Sequence, residues 1–339
     1  MAVSGDGREG RDVTAPNPAN FCGGSFQDWL EVNLTDRCNG TCAWCIERGG
    51  FHPTQRVTSA EIVSAAVGTG RQNVILLGGE PTLYPDLRFV IESLAAQDRH
   101  VYLTTNGSRL SPAFICDNLR GLRGLNVSVH HYDEEENRRI SGVRVAALAE
   151  SISAAHALGI SVRLNCNCIR GAIDSLDEIR RYCAWSKIVG ADGVRFAELK
   201  DDAGSFVDLA EVCGHAFSLT DDPFVDGCNR DAVVDGVPVS FRQMCGLQTP
   251  ERPAPVDPVQ YPKSVLYYDG IVYAGWQREG TMTDKEMAAL LGKVAAGEVS
   301  AEDAHAQVKA ADAKKRRRET RAGRVQPIRS EGLGGGCQY

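Results

Sequence analysis

The stretch "WLEVNLTDRCNGTCAWCIE" (29–47) joins a strand-like run to a loop that carries Cys38, Cys42 and Cys45. Its first part, "WLEVNLT" (29–35), begins a series of six short apolar or β-branched runs. The others are "NVILLGG" (73–79), "HVYLTTN" (100–106), "LNVSVHHY" (125–132), "ISVRLNCN" (160–167) and "DGVRFAEL" (192–199). Between them lie amphipathic stretches such as "DLRFVIESLAAQ" (86–97), "RVAALAESISAAHALG" (144–159) and "SLDEIRRYCAWSKIVG" (175–190), with apolar residues at three- and four-residue spacing. This alternation predicts an α/β fold in which a parallel sheet is covered by helices. Six units are too few for an eight-fold barrel, so an open, partial (β/α)6 barrel is expected. Its site should lie at the carboxyl ends of the strands, and the three cysteines follow the end of the first.

The rest of the chain reads differently. Residues 1–25 predict a flexible amino-terminal segment and 26–200 the partial barrel. Residues 201–282 form an accessory region rich in Asp and Pro, in which "ERPAPVDP" (251–258) cannot be helix. Within it "KSVLYYDGIVYAGW" (263–276) places two β-like runs around Asp269-Gly270, a hairpin signal. Residues 283–339 predict a carboxy-terminal helix, broken near Gly292 and Gly297, followed by the Gly-rich tail "EGLGGGCQY" (331–339). The expected architecture is thus a partial barrel with a carboxy-terminal β-hairpin and a helical extension.

With 339 residues and 43% hydrophobic content, the chain can bury one large core with an accessory part. No apolar run reaches membrane-spanning length, and Met1 to Asn20 lacks the apolar centre of a signal peptide. A cytoplasmic protein with no membrane partner is therefore expected. A net charge of −7 argues against a broad nucleic-acid-binding surface, although "KKRRRETRAGR" (314–324) reverses the sign locally. That segment reads either as a solvated helix end or as a hold for phosphates or a leader peptide. Twelve cysteines in such a chain point to thiols, metal ligands or packing groups rather than a disulfide framework.

The spacing Cys-x3-Cys-x2-Cys offers three thiolates from one loop. Structural zinc sites take four protein ligands, commonly in paired knuckles, and no second knuckle lies nearby. A four-iron, four-sulfur cluster held by three cysteines leaves one iron open to a substrate or cofactor. Spacing alone leaves both readings standing.

The later strand ends add to the loop. "GGEP" (78–81) closes the second strand, "TTNGS" (104–108) the third, "SVHH" (128–131) lies on the fourth, "RLN" (163–165) on the fifth and "VRFAEL" (194–199) on the sixth. Together with Trp44 before the last loop cysteine, this ordered set resembles the radical S-adenosylmethionine (radical SAM) superfamily over residues 29–199. "VRFAEL" and the hairpin "VLYYDGIVYAGW" are most similar to its GTP 3',8-cyclase-like group, although Gly275 and Trp276 stand where that group carries cluster-binding cysteine.

The resemblance implies that Cys38, Cys42 and Cys45 hold a [4Fe-4S] cluster and that S-adenosyl-L-methionine (SAM) binds its open iron. One electron then cleaves SAM to methionine and a 5'-deoxyadenosyl radical, which abstracts hydrogen from a substrate. It also implies a reductant such as flavodoxin or ferredoxin. SAM contacts are expected from Gly78, Gly79, Glu80, Pro81, Thr105, Asn106, Ser128, Arg163 and Asn165. The two glycines let the backbone approach a ligand closely, and the Glu80 carboxylate or nearby carbonyls can receive an ammonium. Arg163 and Asn165 share one strand face and Cys166 and Cys168 the other, and the resemblance places the first pair inward. Candidates for substrate contact are His130, Arg195 and Glu198. Cys213, Cys228 and Cys245 either bind a second cluster or are idle thiols. The expected substrate is a small molecule, such as a nucleoside, nucleotide or sugar, in a biosynthetic pathway. The alternatives are modification of a ribosomally made peptide and a non-catalytic iron–sulfur or zinc sensor.

Overall fold

Residues 29–45, 47, 51–199, 204–217, 219, 229–243, 264–274, 284–300, 303, 304 and 307 are described by a computed structural model. Their strands are β1 (Trp29–Asn33), β2 (Asn73–Leu77), β3 (His100–Thr105), β4 (Leu122–Ser128), β5 (Ser161–Asn167), β6 (Gly193–Ala197), β7 (Asn229–Val234), β8 (Val237–Arg242), β9 (Ser264–Leu266) and β10 (Val272–Ala274). All belong to one open sheet of order β10-β9-β1-β2-β3-β4-β5-β6-β8-β7. From β1 to β6 each strand pairs in parallel with its predecessor, as expected for repeated βα units.

The connecting helices are α1 (Ser59–Gly68), α2 (Leu87–Ala96), α3 (Pro112–Asn118), α4 (Glu134–Ser141), α5 (Leu148–Ala157) and α6 (Leu176–Ile188); α7 (Leu209–Cys213) and α8 (Asp284–Ala295) follow. Local chemistry fixes their starts. Thr58 and Glu61 make a reciprocal capping box at α1, while Ser111, Asp133 and Ser175 each accept a backbone N–H in the first turn of α3, α4 and α6. The main core forms between these helices and one sheet face, with Leu30, Val32, Leu76, Leu103 and Val127 against Ile62, Ile91 and Ile152.

The other face must be curved. Arg195 on β6 feels the charge of Glu31 on β1, five strand positions away. In a flat sheet five spacings would separate them by about 24 Å. Their proximity means that the sheet curls into a partial barrel with these groups inside.

The structure differs from the sequence-based expectation in several places. β4 ends at Ser128, so His130, His131 and Tyr132 belong to the connection into α4 rather than to the strand. The accessory region contains a further hairpin, β7–β8, turned by Asp235 (φ 49°) and Gly236 (φ 79°). This Asp-Gly turn is an ordinary hairpin signal that the surrounding Asp- and Pro-rich composition obscured. β8 extends the sheet beyond β6, and the expected β9–β10 hairpin extends it beyond β1. Gly297 (φ 72°) follows α8, near one expected break, whereas Gly292, where the other was expected, lies within the continuous helix. The segments 1–25, 251–258, 314–324 and 331–339, with Gly275 and Trp276, lie outside the described residues.

Candidate active site

The cysteine loop begins where β1 ends and is tied to neighbouring strand ends on several sides. Gly79 N–H donates to Thr35 O (2.6 Å) and Glu80 N–H to Arg37 O (2.8 Å), which fastens the end of β2 to the approach to Cys38. A Cβ on Gly79 would lie 2.4 Å from Arg37 O, and one on Gly78, at φ 136°, would lie 2.5 Å from Thr35 O. The close approach these glycines permit is thus to the chain's own residues 35–37. Asn106 reaches the loop from the end of β3: its Nδ2 donates to Asn39 Oδ1 (2.9 Å) and lies 3.9 Å from Cys38 Sγ. Gly40 N–H lies 3.2 Å from the same sulfur. Cys38 is exposed, and Cys42 and Cys45 are half-buried.

Glu80 is the junction of this arrangement. Its Oε1 accepts from Thr82 N–H (3.0 Å), Thr82 Oγ1 (2.6 Å) and Thr105 Oγ1 (2.6 Å), while Oε2 accepts from Asn106 N–H (2.7 Å). Four donors on a buried carboxylate hold the ends of β2 and β3 together. Pro81 opens the single turn Pro81–Leu83 that carries Thr82 into place.

Two contacts hold the far side of the loop. The Trp44 ring packs edge-on against His130 at 5.3 Å. His130 Nδ1 accepts Asn167 N–H (3.2 Å), so its proton sits on Nε2, and burial lowers its pKa to about 4. Glu47 accepts from Asn33 Nδ2 (2.9 Å), and burial, reinforced by Asp36, raises its pKa to about 7. The sequence reading gave neither Asn33 nor Glu47 a role, although Asn33 follows Glu31 at a two-residue interval.

The inner sheet face is polar. Pairing sets Ser128, Asn165, Arg195, Ser240 and Asp231 in one row across β4, β5, β6, β8 and β7. Arg163 occupies the adjoining row opposite Asn126, and its Nε donates to Asn165 Oδ1 (3.1 Å). Burial lowers the Arg163 pKa to about 10, aided by Arg242. Burial also pushes Arg195 well down, with Arg163 and Arg242 adding repulsion and Glu31 and Asp231 opposing it. Three arginines therefore converge on one face, Arg195 buried and Arg163 and Arg242 half-buried. Cys166 and Cys168 point instead into the helix-side core. Glu198 lies just beyond β6 and accepts Leu209 N–H (3.0 Å) at the start of α7, a helix-capping contact. Cys213 ends α7 and packs into the same core, where burial raises its thiol to about 12; Cys228 and Cys245 lie outside the described residues.

The loop's donor set suits an iron–sulfur cluster, with three thiols on one segment and N–H groups directed at Cys38 Sγ.

Comparison with known proteins agrees with this geometry. The family model of the Radical SAM superfamily matches residues 32–183. The GTP 3',8-cyclase of Rhizobium meliloti (strain 1021) is 30% identical over 244 residues, covering 66% of this chain and 68% of the relative. The GTP 3',8-cyclase of Aquifex aeolicus (strain VF5) is 32% identical over 183 residues, covering 51% of this chain and 56% of the relative. The chain belongs to the radical SAM superfamily, a class of enzymes whose cofactors are a [4Fe-4S] cluster and SAM. Within the superfamily its similarity is to the GTP 3',8-cyclase group, although it spans only 56% and 57% of the length of the first two such relatives. Among solved structures, Streptococcus suis SuiB bound to S-adenosylmethionine superposes with a TM-score of 0.52 at 18% identity, covering 72% of this chain and 59% of that one. That likeness concerns the fold alone. No helix among the described residues is long and apolar enough to cross a membrane.

Proposed function

We propose that this enzyme binds its cluster through Cys38, Cys42 and Cys45 and acts on a small anionic molecule, a nucleotide or phosphorylated nucleoside or sugar, held against the inner face of the sheet. The observation that carries the substrate reading is the approach of Arg195 on β6 and Arg242 on β8 on that face, next to Arg163 at the proposed SAM carboxylate site. Similarity to GTP 3',8-cyclases supports it, because those relatives act on a nucleotide.

When bound, the reduced cluster and SAM supply a 5'-deoxyadenosyl radical able to take hydrogen from an unreactive carbon. The chain's own work is placement. Glu80 holds the ends of β2 and β3 in register, so that the Gly78–Gly79 backbone and Asn106 border the loop together. Ser128, Arg163 and Asn165 supply a hydroxyl, a guanidinium and an amide suited to the carboxylate end of SAM. Arg195, in the same row as Asn165 but one strand nearer β8, then faces the substrate anion, whereas the Glu198 carboxylate is engaged at α7. His130, neutral and hydrogen-bonded, braces Trp44 and offers an Nε2–H donor rather than a base.

One cluster satisfies this reading. The apolar surroundings of Cys213 weigh against its joining Cys228 and Cys245 in a second. A flavodoxin or ferredoxin would deliver the electron. The test is a screen of nucleotides, nucleosides and sugar phosphates for acceleration of SAM cleavage, with deuterium moving from a labelled substrate into 5'-deoxyadenosine. Acceleration by an anionic compound that Arg195→Met removes supports the reading. Acceleration only by peptides would replace it with peptide modification.

A further inference from the structure

We propose that the carboxy-terminal cap of α4, Ser141–Gly142, is a latch that sets the position of Cys42; this rests on the cluster reading above. The Ser141 carbonyl is one of the last in its helix, where carbonyls have no intrahelical partner. It accepts Thr41 N–H at 2.7 Å and lies 3.8 Å from Cys42 Sγ. Gly142 closes the helix in the left-handed conformation, φ 77°, with its N–H on Arg138 O at 2.8 Å. A Cβ there would lie 2.1 Å from Thr41 Oγ1 and 3.0 Å from both Thr41 Cβ and Thr41 N. Turning the Thr41 hydroxyl aside relieves only the first contact. The fit is reciprocal, since a Cβ on Gly40 would lie 3.2 Å from Ser141 O and 3.5 Å from Cys38 Sγ. At Gly142 the helix end and the loop meet with room for a hydrogen and nothing larger, while at Gly40 the approach is close but less severe.

The helix is itself held at its other end. Asn137 Oδ1 accepts His130 N–H (2.7 Å), and Asp133 N–H donates to His131 Nδ1 (2.9 Å). Ser141 Oγ donates to Asn137 O (2.7 Å), so buried polar groups run from the end of β4 to the loop. The ion pairs Glu135–Arg138 and Glu136–Arg139 are exposed and add little hold. α4 is therefore a strut between the connection that carries His130 and the loop that carries Cys42. Cys38 is contacted by Asn106 and Cys45 adjoins the braced Trp44, while Cys42 has this contact to the helix end. Displacing the latch should move Cys42 relative to the other two thiols.

Gly159 supplies the control. It has the same φ of 77° and nothing within 4 Å of the site its Cβ would take. Gly142→Ala and Gly159→Ala thus incur the same left-handed strain, and only the first disturbs the loop. After anaerobic reconstitution, the Gly142→Ala protein should lose iron to a chelator on the order of 10-fold faster than the parent, the scale of outer-shell changes at metal sites. Gly159→Ala should lose it at the parental rate, with unfolding midpoints compared by circular dichroism. In metal-free protein, mass-mapped iodoacetamide labelling of Cys42 should quicken several-fold in Gly142→Ala, with Cys38 unchanged. Equal iron retention and equal labelling in the two variants overturn the latch. Parent protein that never takes up iron overturns the cluster reading instead, and the labelling comparison still decides the latch.

Discussion

Glu80→Gln separates a structural clamp from a cofactor contact. The carboxylate is 1% exposed and accepts four hydrogen bonds, three at Oε1 and one at Oε2. Glutamine has nearly the same shape and can keep an oxygen before Thr82 and Thr105. Its NH2 then meets Asn106 N–H, a donor facing a donor. The lost bond to a charged acceptor costs about 1.5–3 kcal/mol. The three survivors become neutral and weaker, so a total near 3 kcal/mol is expected. For a 339-residue chain, with an unfolding entropy of about 0.7 kcal/mol/K, that lowers the melting temperature by roughly 4 °C. The assay is thermal unfolding by circular dichroism, with parent and variant in the same metal state and without SAM. If the variant melts within about 1 °C of the parent and only its SAM affinity falls, the clamp argument fails and Glu80 is a ligand contact alone.

Three further outcomes are expected. Asn165→Ala removes the acceptor of Arg163 Nε (3.1 Å) and should weaken SAM binding by about 10-fold or more, read by equilibrium binding, with smaller change in stability; unchanged affinity contradicts the proposed carboxylate site. His130 is held near pKa 4 in the folded chain, against about 6.5 unfolded, so below pH 6.5 the unfolded chain takes up a proton that the folded one does not. Stability should fall between pH 7 and pH 5 by about 2 kcal/mol from this residue, and His130→Asn, which keeps an acceptor for Asn167 N–H, should remove that part of the fall. Gly79→Ala should destabilise the fold by about 2–4 kcal/mol, because its Cβ would meet Arg37 O and strain two backbone hydrogen bonds; a change below about 0.5 kcal/mol in urea unfolding contradicts the close approach.

The parallel strands were legible because Val74 to Leu76 or Val101 to Leu103 are runs only a sheet covered by helices can bury. The inward direction of Arg163 and Asn165 followed from two-residue periodicity once the family resemblance chose the face. Other features were hidden for identifiable reasons. The β7–β8 hairpin, and with it Arg242, sat in a region whose composition masked the Asp235-Gly236 turn. Glu31 and Asn33 lie on the inner face of β1, but only curvature of the sheet brings Glu31 near Arg195, and no local pattern encodes that distance. The fit of Gly142 against Thr41 joins residues a hundred positions apart and is readable only in three dimensions.

The central claim is that three thiols of one loop hold a cluster able to cleave SAM. Anaerobic reconstitution followed by reduction in the presence of SAM tests it, with iron and 5'-deoxyadenosine measured on the same sample. The account predicts about four irons per chain, slow release of 5'-deoxyadenosine, and loss of that release in Cys42→Ala. Protein that takes up zinc and no iron, or that carries the iron and leaves SAM intact, would contradict it.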